Sequence, residues 1–243
     1  MKPFLLVSSR ASDSASAGEA ESVQRLLGVD AAGLVQRRVE SEPLGVVDLD
    51  DYSGVLLGGS DFCASTVDKA DNQVRAEAEL AVLFADILDR DFPFFGLCYG
   101  VGALTSYCHG RVTGRYAEDV GAIPVTLTAK GRADPLLDGV PDVFYAFVGH
   151  KEAAEELPDG AVLLATGERA PIQLFRLGRN VYASQFHPEL AVDELIARMR
   201  VYANDGYFRP EEFDVLAEAA EAAPVDGTQH LLLANFARLF ARE

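Results

Sequence analysis

The residue in this sequence that is best suited to covalent chemistry is a cysteine that stands between two glycines. Cys98 follows the apolar run 93–97 and is flanked by Gly96 and Gly100. The pattern Gly-x-Cys-x-Gly is typical of a nucleophile elbow, in which a sharp strand-to-helix turn exposes a reactive atom above a sheet. The N-terminus of the helix that would follow adds partial positive charge, which favours a thiolate over a thiol. We therefore interpret Cys98 as a catalytic nucleophile.

A base for such a nucleophile stands in the segment 185–189, where His187 and Glu189 come directly after a predicted strand. A thiol nucleophile needs a group that takes its proton and later returns it to the leaving group, and histidine does this near neutral pH. Residues two apart on an extended segment point to the same side, so the carboxylate can orient the imidazole. The alternative is a surface histidine beside a surface glutamate, and we interpret His109 and His230 as surface histidines.

Two glycines, Gly58 and Gly59, follow the predicted strand 52–57. If Cys98 attacks an amide, the tetrahedral oxyanion needs N–H donors that are already in place. A glycine-rich turn can present the N–H of Gly59, and the amide of Tyr99 can present the other donor. The competing interpretations are a plain turn and a phosphate-binding loop, but the Lys-Ser/Thr pair of a P-loop is absent.

The elements that would position these residues alternate between strands and helices in the first half of the chain. Helical periodicity is clearest over 73–90, where apolar residues fall on one face. Alternation of this kind predicts a parallel, doubly wound α/β sheet whose ligands bind beyond the carboxyl ends of the strands. The predicted strands are 4–7, 34–39, 52–57 and 93–97, and the first helix ends near Gly28.

The second half of the chain is richer in β-strands, and we expect more antiparallel pairing there because short turns separate the strands. The predicted strands are 111–127 with turns at Gly114 and Gly121, 144–148, 162–166, 172–177 and 181–185. From residue 192 the pattern becomes helical, and Asp193 is a predicted helix cap. The length suits a single domain, 1–243, of which 192–243 would be a helical C-terminal extension.

The composition limits the classes of partner and the compartment. The chain has 243 residues and a formal net charge of −17. This charge argues against binding to nucleic acid or to an anionic membrane surface, because both need basic patches. Cys63 and Cys108 resemble buried hydrophobic residues, and three scattered cysteines favour a reducing cytoplasm over a disulfide framework. The N-terminal apolar run is too short for a signal peptide, and no later stretch is long enough to span a bilayer.

The elbow, the Gly58-Gly59 pair and the His-Pro-Glu segment together resemble the class I glutamine amidotransferases over roughly residues 50–190. Any one of these motifs alone would be weak, but the three in this order are specific. Within the family, the chain is most similar to stand-alone members related to the amidotransferase domain of GMP synthase. The segments 149–152, 157–158 and 171–175 match segments around the glutamine pocket of those members.

The resemblance implies a flavodoxin-like sheet and a Cys-His-Glu triad made of Cys98, His187 and Glu189. The implied reaction is hydrolysis of the glutamine side-chain amide through a γ-glutamyl thioester, with release of ammonia and without a metal or other cofactor. The resemblance also implies that Gly58, Gly100 and His150 take part in binding glutamine.

Two departures from the family pattern leave alternatives open. Many members follow the elbow with a polar pair that ends in a glutamine, which helps to hold the substrate, whereas this chain has Val101 and Gly102. The chain also has no second catalytic domain, so ammonia would pass to a separate synthase subunit. The alternative enzyme is a γ-glutamyl hydrolase or amidase, and a non-catalytic regulatory module of the same fold is the third possibility.

The extension 192–243 could form a synthase contact or a homodimer contact, but packing against the sheet explains its apolar faces as well.

Overall fold

The computed structural model describes all 243 residues, which form eleven strands and six helices. The strands are β1 (Phe4–Ser9), β2 (Leu34–Arg38), β3 (Val55–Ser60), β4 (Phe94–Leu97), β5 (Arg111–Thr113), β6 (Glu118–Leu127), β7 (Val143–His150), β8 (Ala153–Glu156), β9 (Val162–Thr166), β10 (Leu174–Leu177) and β11 (Val181–Ser184). The helices are α1 (Asp13–Leu27), α2 (Asp71–Asp89), α3 (Tyr99–Tyr107), α4 (Val192–Val201), α5 (Phe213–Glu221) and α6 (Leu231–Phe240).

Nine of the strands form one sheet in the order β2-β1-β3-β4-β11-β10-β9-β6-β7. The first five strands in this order pair in parallel, whereas β10, β9, β6 and β7 continue the sheet in antiparallel pairs. The short strands β5 and β8 form a separate antiparallel pair. This topology confirms the predicted doubly wound, flavodoxin-like fold and the predicted shift to antiparallel pairing in the second half.

The apolar runs of the parallel strands are buried on both faces of the sheet. In β1, Leu5 and Val7 belong to a core cluster of 25 residues on one face, where α2 and α3 pack. Phe4 and Leu6 belong to a cluster of 23 residues on the other face, where α1 and α6 pack. Because both faces are covered, the four residues Phe4 to Val7 are all apolar and form a continuous run instead of an alternating one.

The C-terminal extension divides into two parts that cover different regions. Helix α6 contributes Phe236 to the cluster of 23 residues on one face of the sheet. Helices α4 and α5 instead enclose a small cluster that includes Phe147, Leu190, Leu195 and Met199. Packing against the sheet and its edge therefore accounts for the apolar faces of all three helices.

Three local predictions need correction. Gly58 and Gly59 do not form a turn but continue β3 in extended conformation. Gly121 lies inside β6, next to an irregularity in the register of β6 with β7. The chain therefore continues as one strand at the position where we predicted a turn. Asp193 does not cap α4 but lies in its first turn, and the cap position is Ala191, whose N–H donates to Glu194 Oε2 at 2.7 Å.

Candidate active site

Cys98 occupies a strained turn between β4 and α3, at the carboxyl edge of the parallel strands. Its backbone has φ 51° and ψ −90°, in a region that non-glycine residues seldom adopt. Its N–H donates to the carbonyl of Ser184 at the end of β11. A Cβ on Gly96 would lie 3.0 Å from the backbone of Gly100, so the turn closes tightly enough to require glycine. Strain of about 1–3 kcal/mol is typical of functional turns.

His187 and Glu189 lie at the end of the neighbouring strand β11, on the same side of the chain. His187 Nδ1 lies 2.7 Å from Glu189 Oε1, and both side chains are buried. The backbone N–H of His187 donates to the carbonyl of Phe147 in β7, which fixes the segment after β11. His187 and Cys98 line the same cavity. The structure therefore brings together the three side chains that the sequence singled out.

The electrostatics of the pair favour an ionised carboxylate and a protonated imidazole. Burial lowers the pKa of His187, but the charges of Glu189 and Cys98 and their hydrogen bonds outweigh it and raise the pKa to about 9. Burial opposes ionisation of Glu189, yet His187 and Arg198 hold the pKa of this carboxyl well below its ordinary range. A histidine that keeps its proton at neutral pH is suited to protonating a leaving amine.

Arg198 is a site residue that the sequence prediction missed. Arg198 lies in helix α4, and its Nη1 donates to Glu189 Oε1, with 2.9 Å between the two atoms. A buried carboxylate bound by both a histidine and an arginine remains ionised and keeps a fixed orientation. Arg198 stands nine residues after Glu189 on the buried side of an amphipathic helix, and no motif marks it.

The two predicted oxyanion donors differ in what they contact. The N–H of Tyr99, at the first position of α3, has no hydrogen-bond acceptor. The N–H of Gly59 donates to Oε1 of the buried Glu19 at 3.0 Å. The oxyanion roles of Tyr99 and Gly59 remain predictions, but only Tyr99 has its N–H free in this structure.

A cavity of about 50 Å³ lies over the sulfur of Cys98. Its walls include Arg10, Met199, and Tyr202, Tyr207 and Phe208 of the segment that joins α4 to α5. A volume of this kind holds about four water molecules, whereas glutamine has ten non-hydrogen atoms. A molecule of that size reaches the sulfur only if part of it lies outside the cavity or if the covering residues shift.

The predicted glutamine-binding residues do not line this cavity. His150 is buried in a polar network, with Nε2 2.8 Å from Glu118 Oε2 and Nδ1 2.9 Å from the carbonyl of Glu152. Gly100 packs against Leu57 and Gly58 packs against Glu19. Their roles in binding glutamine remain predictions, and the structure shows that His150 holds β7 to β6 and to the residues before β8.

The position of the missing family glutamine is occupied by another polar side chain. A Cβ on Gly102 would lie 2.8 Å from Glu152 Oε1. Glu152 accepts hydrogen bonds from the N–H of Ala64 at 2.6 Å and from the N–H of Ser65 at 2.8 Å. The carboxylate therefore fills the space beside Gly102 and holds the loop after β3 against α3.

The two other cysteines show no sign of activation. Burial raises the pKa of Cys63 to about 11 and also raises the pKa of Cys108. His109 is exposed, as predicted, whereas His230 is half-buried, with Nδ1 2.7 Å from the carbonyl of Pro188. No three histidine, cysteine, aspartate or glutamate side chains converge in a way that could hold a metal ion.

Comparison with known families agrees with this geometry. Residues 65–199, more than half of the chain, match the family model of class-I glutamine amidotransferases. The chain belongs to this enzyme family. The matched range includes the elbow of Cys98, the segment of His187 and Glu189, and Arg198.

Among curated proteins, the amidotransferase is similar to glutamine-hydrolysing GMP synthases. It is 34% identical over 113 residues to the enzyme of Marinobacter nauticus, which covers 43% of this chain and 21% of that protein. It is 34% identical over 109 residues to one subunit of the glutamine-hydrolysing GMP synthase of Natronomonas pharaonis, which covers 44% of this chain and 58% of that protein. The matched part of the amidotransferase thus spans only about a fifth of the length of the bacterial GMP synthases.

Solved structures show the same fold over the whole amidotransferase. A glutamine amidotransferase from Thermotoga maritima superimposes with a TM-score of 0.78 at 21% identity and covers 100% of both chains. A glutamine amidotransferase from Methylobacillus flagellatus gives a TM-score of 0.75 at 19% identity and covers 100% of this chain and 97% of that one. None of the helices is both long enough and apolar enough to cross a membrane.

Proposed function

We propose that this amidotransferase hydrolyses the side-chain amide of glutamine, with Cys98 as the nucleophile, His187 as the acid and base, and Glu189 as the residue that orients His187. The observation that carries the proposal is the strained turn of Cys98 beside a buried imidazole, which is in turn held by a buried carboxylate. A strained turn and a buried charged pair both cost free energy, and such features cluster at functional sites.

The reaction begins when the sulfur of Cys98, as thiolate, attacks the amide carbon and forms a tetrahedral oxyanion. The C–N bond then breaks, and the imidazolium of His187 gives its proton to the departing nitrogen, which leaves as ammonia. A water molecule gives a proton to His187 and attacks the thioester, the C–S bond breaks, and glutamate is released. The expelled sulfur is again a thiolate beside the protonated His187, as at the start, and the new carboxylic acid of glutamate loses its proton to water.

We propose that the ammonia passes to a separate synthase subunit. The curated relatives include a protein named as one subunit of a glutamine-hydrolysing GMP synthase, and that name implies a partner for the relative. The matched part of this chain spans about a fifth of the length of the bacterial GMP synthases. Cytoplasmic location is part of the same proposal.

Glutamate release from glutamine tests the nucleophile. Wild-type protein should release glutamate, Cys98→Ser should lose at least about 10³-fold in kcat, and the matched control Cys63→Ser should retain activity. Because a partner protein could be needed for turnover, a diazoketone analogue of glutamine provides a second readout. It should alkylate Cys98 and leave Cys63 and Cys108 unmodified. Equal glutamate release by wild type and Cys98→Ser would contradict the proposed function.

A γ-glutamyl hydrolase is a second candidate that one observation favours. The carboxylate of Glu152 lies where the family glutamine would begin at Gly102, so the usual contact to free glutamine is absent. The cavity over Cys98 is also lined mostly by apolar side chains, which suit a substituted amine as leaving group. A panel of γ-glutamyl alkylamides separates the candidates, because kcat/KM for an amidotransferase should be highest with glutamine itself.

A further inference from the structure

A buried arginine with unused donors lines the same cavity as the candidate nucleophile. Arg10 follows β1, is 4% exposed, and lines the cavity together with Cys98 and His187. Its Nε donates to Glu19 Oε1 at 2.7 Å, and its Nη1 donates weakly to the hydroxyl of Tyr202 at 3.4 Å. Its Nη2 makes no hydrogen bond. Nη2 keeps some accessible surface, because it is neither hydrogen-bonded nor fully buried. Its N–H groups therefore open onto the cavity, where they are available to an anionic or carbonyl oxygen of a bound molecule.

Arg10 lies directly against Gly59, the predicted oxyanion donor. The N–H of Gly59 is already bound to Glu19 at 3.0 Å. A Cβ built on Gly59 would lie 2.2 Å from Arg10 Nη2 and 3.4 Å from His187 Cε1. The guanidinium therefore lies over Gly59, on the side of the imidazole. At the end of β3 the free hydrogen-bond donors belong to this guanidinium and not to the backbone N–H of Gly59.

We propose that Arg10 Nη2 donates to the tetrahedral oxyanion formed on Cys98, together with the N–H of Tyr99. The inference rests on the function proposed above and assigns to Arg10 the role predicted for Gly59. An oxyanion carries a full negative charge that the amide lacks, so a fixed guanidinium stabilises the transition state more than the bound substrate. Hydrogen bonds from an ionised donor are about twice as strong as those from a neutral one.

The same arrangement gives a reason for both glycines of the Gly58-Gly59 pair. A Cβ on Gly58 would lie 2.1 Å from Glu19 Oε2, and a Cβ on Gly59 would overlap Arg10. Glu19 is fully buried on α1 and also accepts from the hydroxyl of Ser8 at 3.3 Å. The two glycines leave room for the Arg10–Glu19 ion pair, and Glu19 acts as a positioning residue that aims the guanidinium over β3.

The competing role for Arg10 is to bind the α-carboxylate of the substrate, and kinetics separate the two roles. We would measure kcat and KM of wild type, Arg10→Lys and Arg10→Gln with glutamine and with 4-aminobutanamide, which is glutamine without its α-carboxylate. The expected result is a loss of about 10²–10³ in kcat, with KM changed by less than about threefold and an equal loss on both substrates. Arg25→Gln, which removes a half-exposed arginine outside the cavity, serves as the control.

Arg10→Gln leaves the buried Glu19 without its partner and could unfold the protein. The double variant Arg10→Gln with Glu19→Gln removes both charges and preserves the shape, and its thermal unfolding shows whether the fold is intact. Acylation by the γ-4-nitrophenyl ester of glutamate, followed as release of nitrophenolate, gives a readout that needs no partner protein. The folded double variant should show the same loss.

Two results would overturn the inference. An increase in KM with kcat retained, absent with 4-aminobutanamide, would make Arg10 a carboxylate-binding residue. Unchanged kcat and KM in the folded variants would remove Arg10 from the reaction altogether. If Cys98→Ser is inactive while the Arg10 variants are fully active, only this inference fails. If Cys98→Ser is as active as wild type, the proposed function itself fails.

Discussion

Glu189 is the most deeply buried member of the candidate triad, and its charge determines up to which pH His187 keeps its proton. The carboxylate is fully buried and bound by both His187 and Arg198. Burial disfavours the charged imidazolium, and the neighbouring carboxylate is the main attraction that offsets this cost. Removing the carboxylate therefore lowers the pKa of the imidazole. At the scale of single residues, the protonation of His187 is therefore the quantity that a substitution at position 189 should change.

The pH profile tests this relation. The pKa of His187 is raised to about 9, so the imidazolium that protonates the leaving amine persists at neutral pH and is lost as pH rises through 9. We expect kcat/KM to fall on the alkaline side with an apparent pKa near 9. In Glu189→Gln this fall should move to lower pH by about 1–3 units, with a lower kcat.

Glu211→Gln, at an exposed glutamate that does not line the cavity, is the matched control and should keep the wild-type profile. The relation fails if the alkaline limb stays in place when Glu189 is neutralised.

At the scale of elements, the elbow depends on the close approach of β4 to the first turn of α3. The approach is set by Gly96, whose missing side chain lets the backbone of Gly100 come within contact distance. The same turn imposes a positive φ on Cys98. One element pair therefore fixes both the strain and the position of the sulfur.

Gly96→Ala should destabilise the protein by about 1–3 kcal/mol, because the added methyl overpacks the turn, and should also lower glutamine hydrolysis. Gly18→Ala is the matched control, since Gly18 lies inside helix α1 and a Cβ there meets no atom within 4 Å. That substitution should stabilise by about 0.5–1 kcal/mol. Urea unfolding measures both, and equal effects of the two substitutions would contradict the packing argument.

Lys151 makes two of the contacts that hold the segment between α4 and α5 over the cavity. Lys151 Nζ donates to the carbonyl of Asp205 at 2.6 Å and lies 4.3 Å from the ring centroid of Tyr207. Tyr207 in turn lines the cavity over Cys98. The contact joins the end of β7 to the C-terminal extension, so it can govern access to the sulfur.

Lys151→Ala should loosen this segment because it removes both contacts at once. We expect faster backbone hydrogen exchange over residues 203–209 and about two- to tenfold faster alkylation of Cys98 by iodoacetamide, in line with the loss of about 0.5–1.5 kcal/mol for one hydrogen bond. Lys130→Ala, at an exposed lysine that does not line the cavity, should change neither rate. Unchanged alkylation in Lys151→Ala would show that the segment does not limit access.

At the scale of the whole molecule, the last helix completes the core that the first strand begins. Phe236 in α6 is fully buried, with ring centroids 5.9 Å from Phe4 and 5.7 Å from Phe95. The backbone N–H of Lys2 also donates to the carbonyl of Arg242. Because the two ends of the chain share one core, we propose that residues 1–243 unfold as one cooperative domain.

Phe236→Ala should lower the free energy of unfolding by about 3–5 kcal/mol and shift the whole transition. Near-UV and far-UV circular dichroism should report the same midpoint, as two-state unfolding requires. Leu231→Ala, in the same helix at a residue that is 37% exposed, should cost less than about 1 kcal/mol. Separate transitions for the extension and the sheet would contradict the single-domain proposal.

Much of the fold follows from local sequence signals. The apolar runs of β1, β3 and β4, the periodicity of α2 and the glycine after α1 have physical causes within a few residues, so their approximate limits are predictable. The short strand β8 was missed because Ala153–Glu156 has no apolar alternation, and its pairing with β5 is set by contacts distant in sequence. Gly58 and Gly59 were mistaken for a turn because their space is taken by side chains from α1 and from the end of β1.

The sequence by itself determined the three side chains of the candidate triad, because the elbow and the His-Pro-Glu spacing are local patterns at the ends of buried strands. The tertiary structure alone decided which charges surround them. Arg198 reaches Glu189 from a later helix, and Glu19 holds both Arg10 and the N–H of Gly59. The pairing of buried charges depends on which elements pack together, and a pattern within a few residues carries no information about that packing.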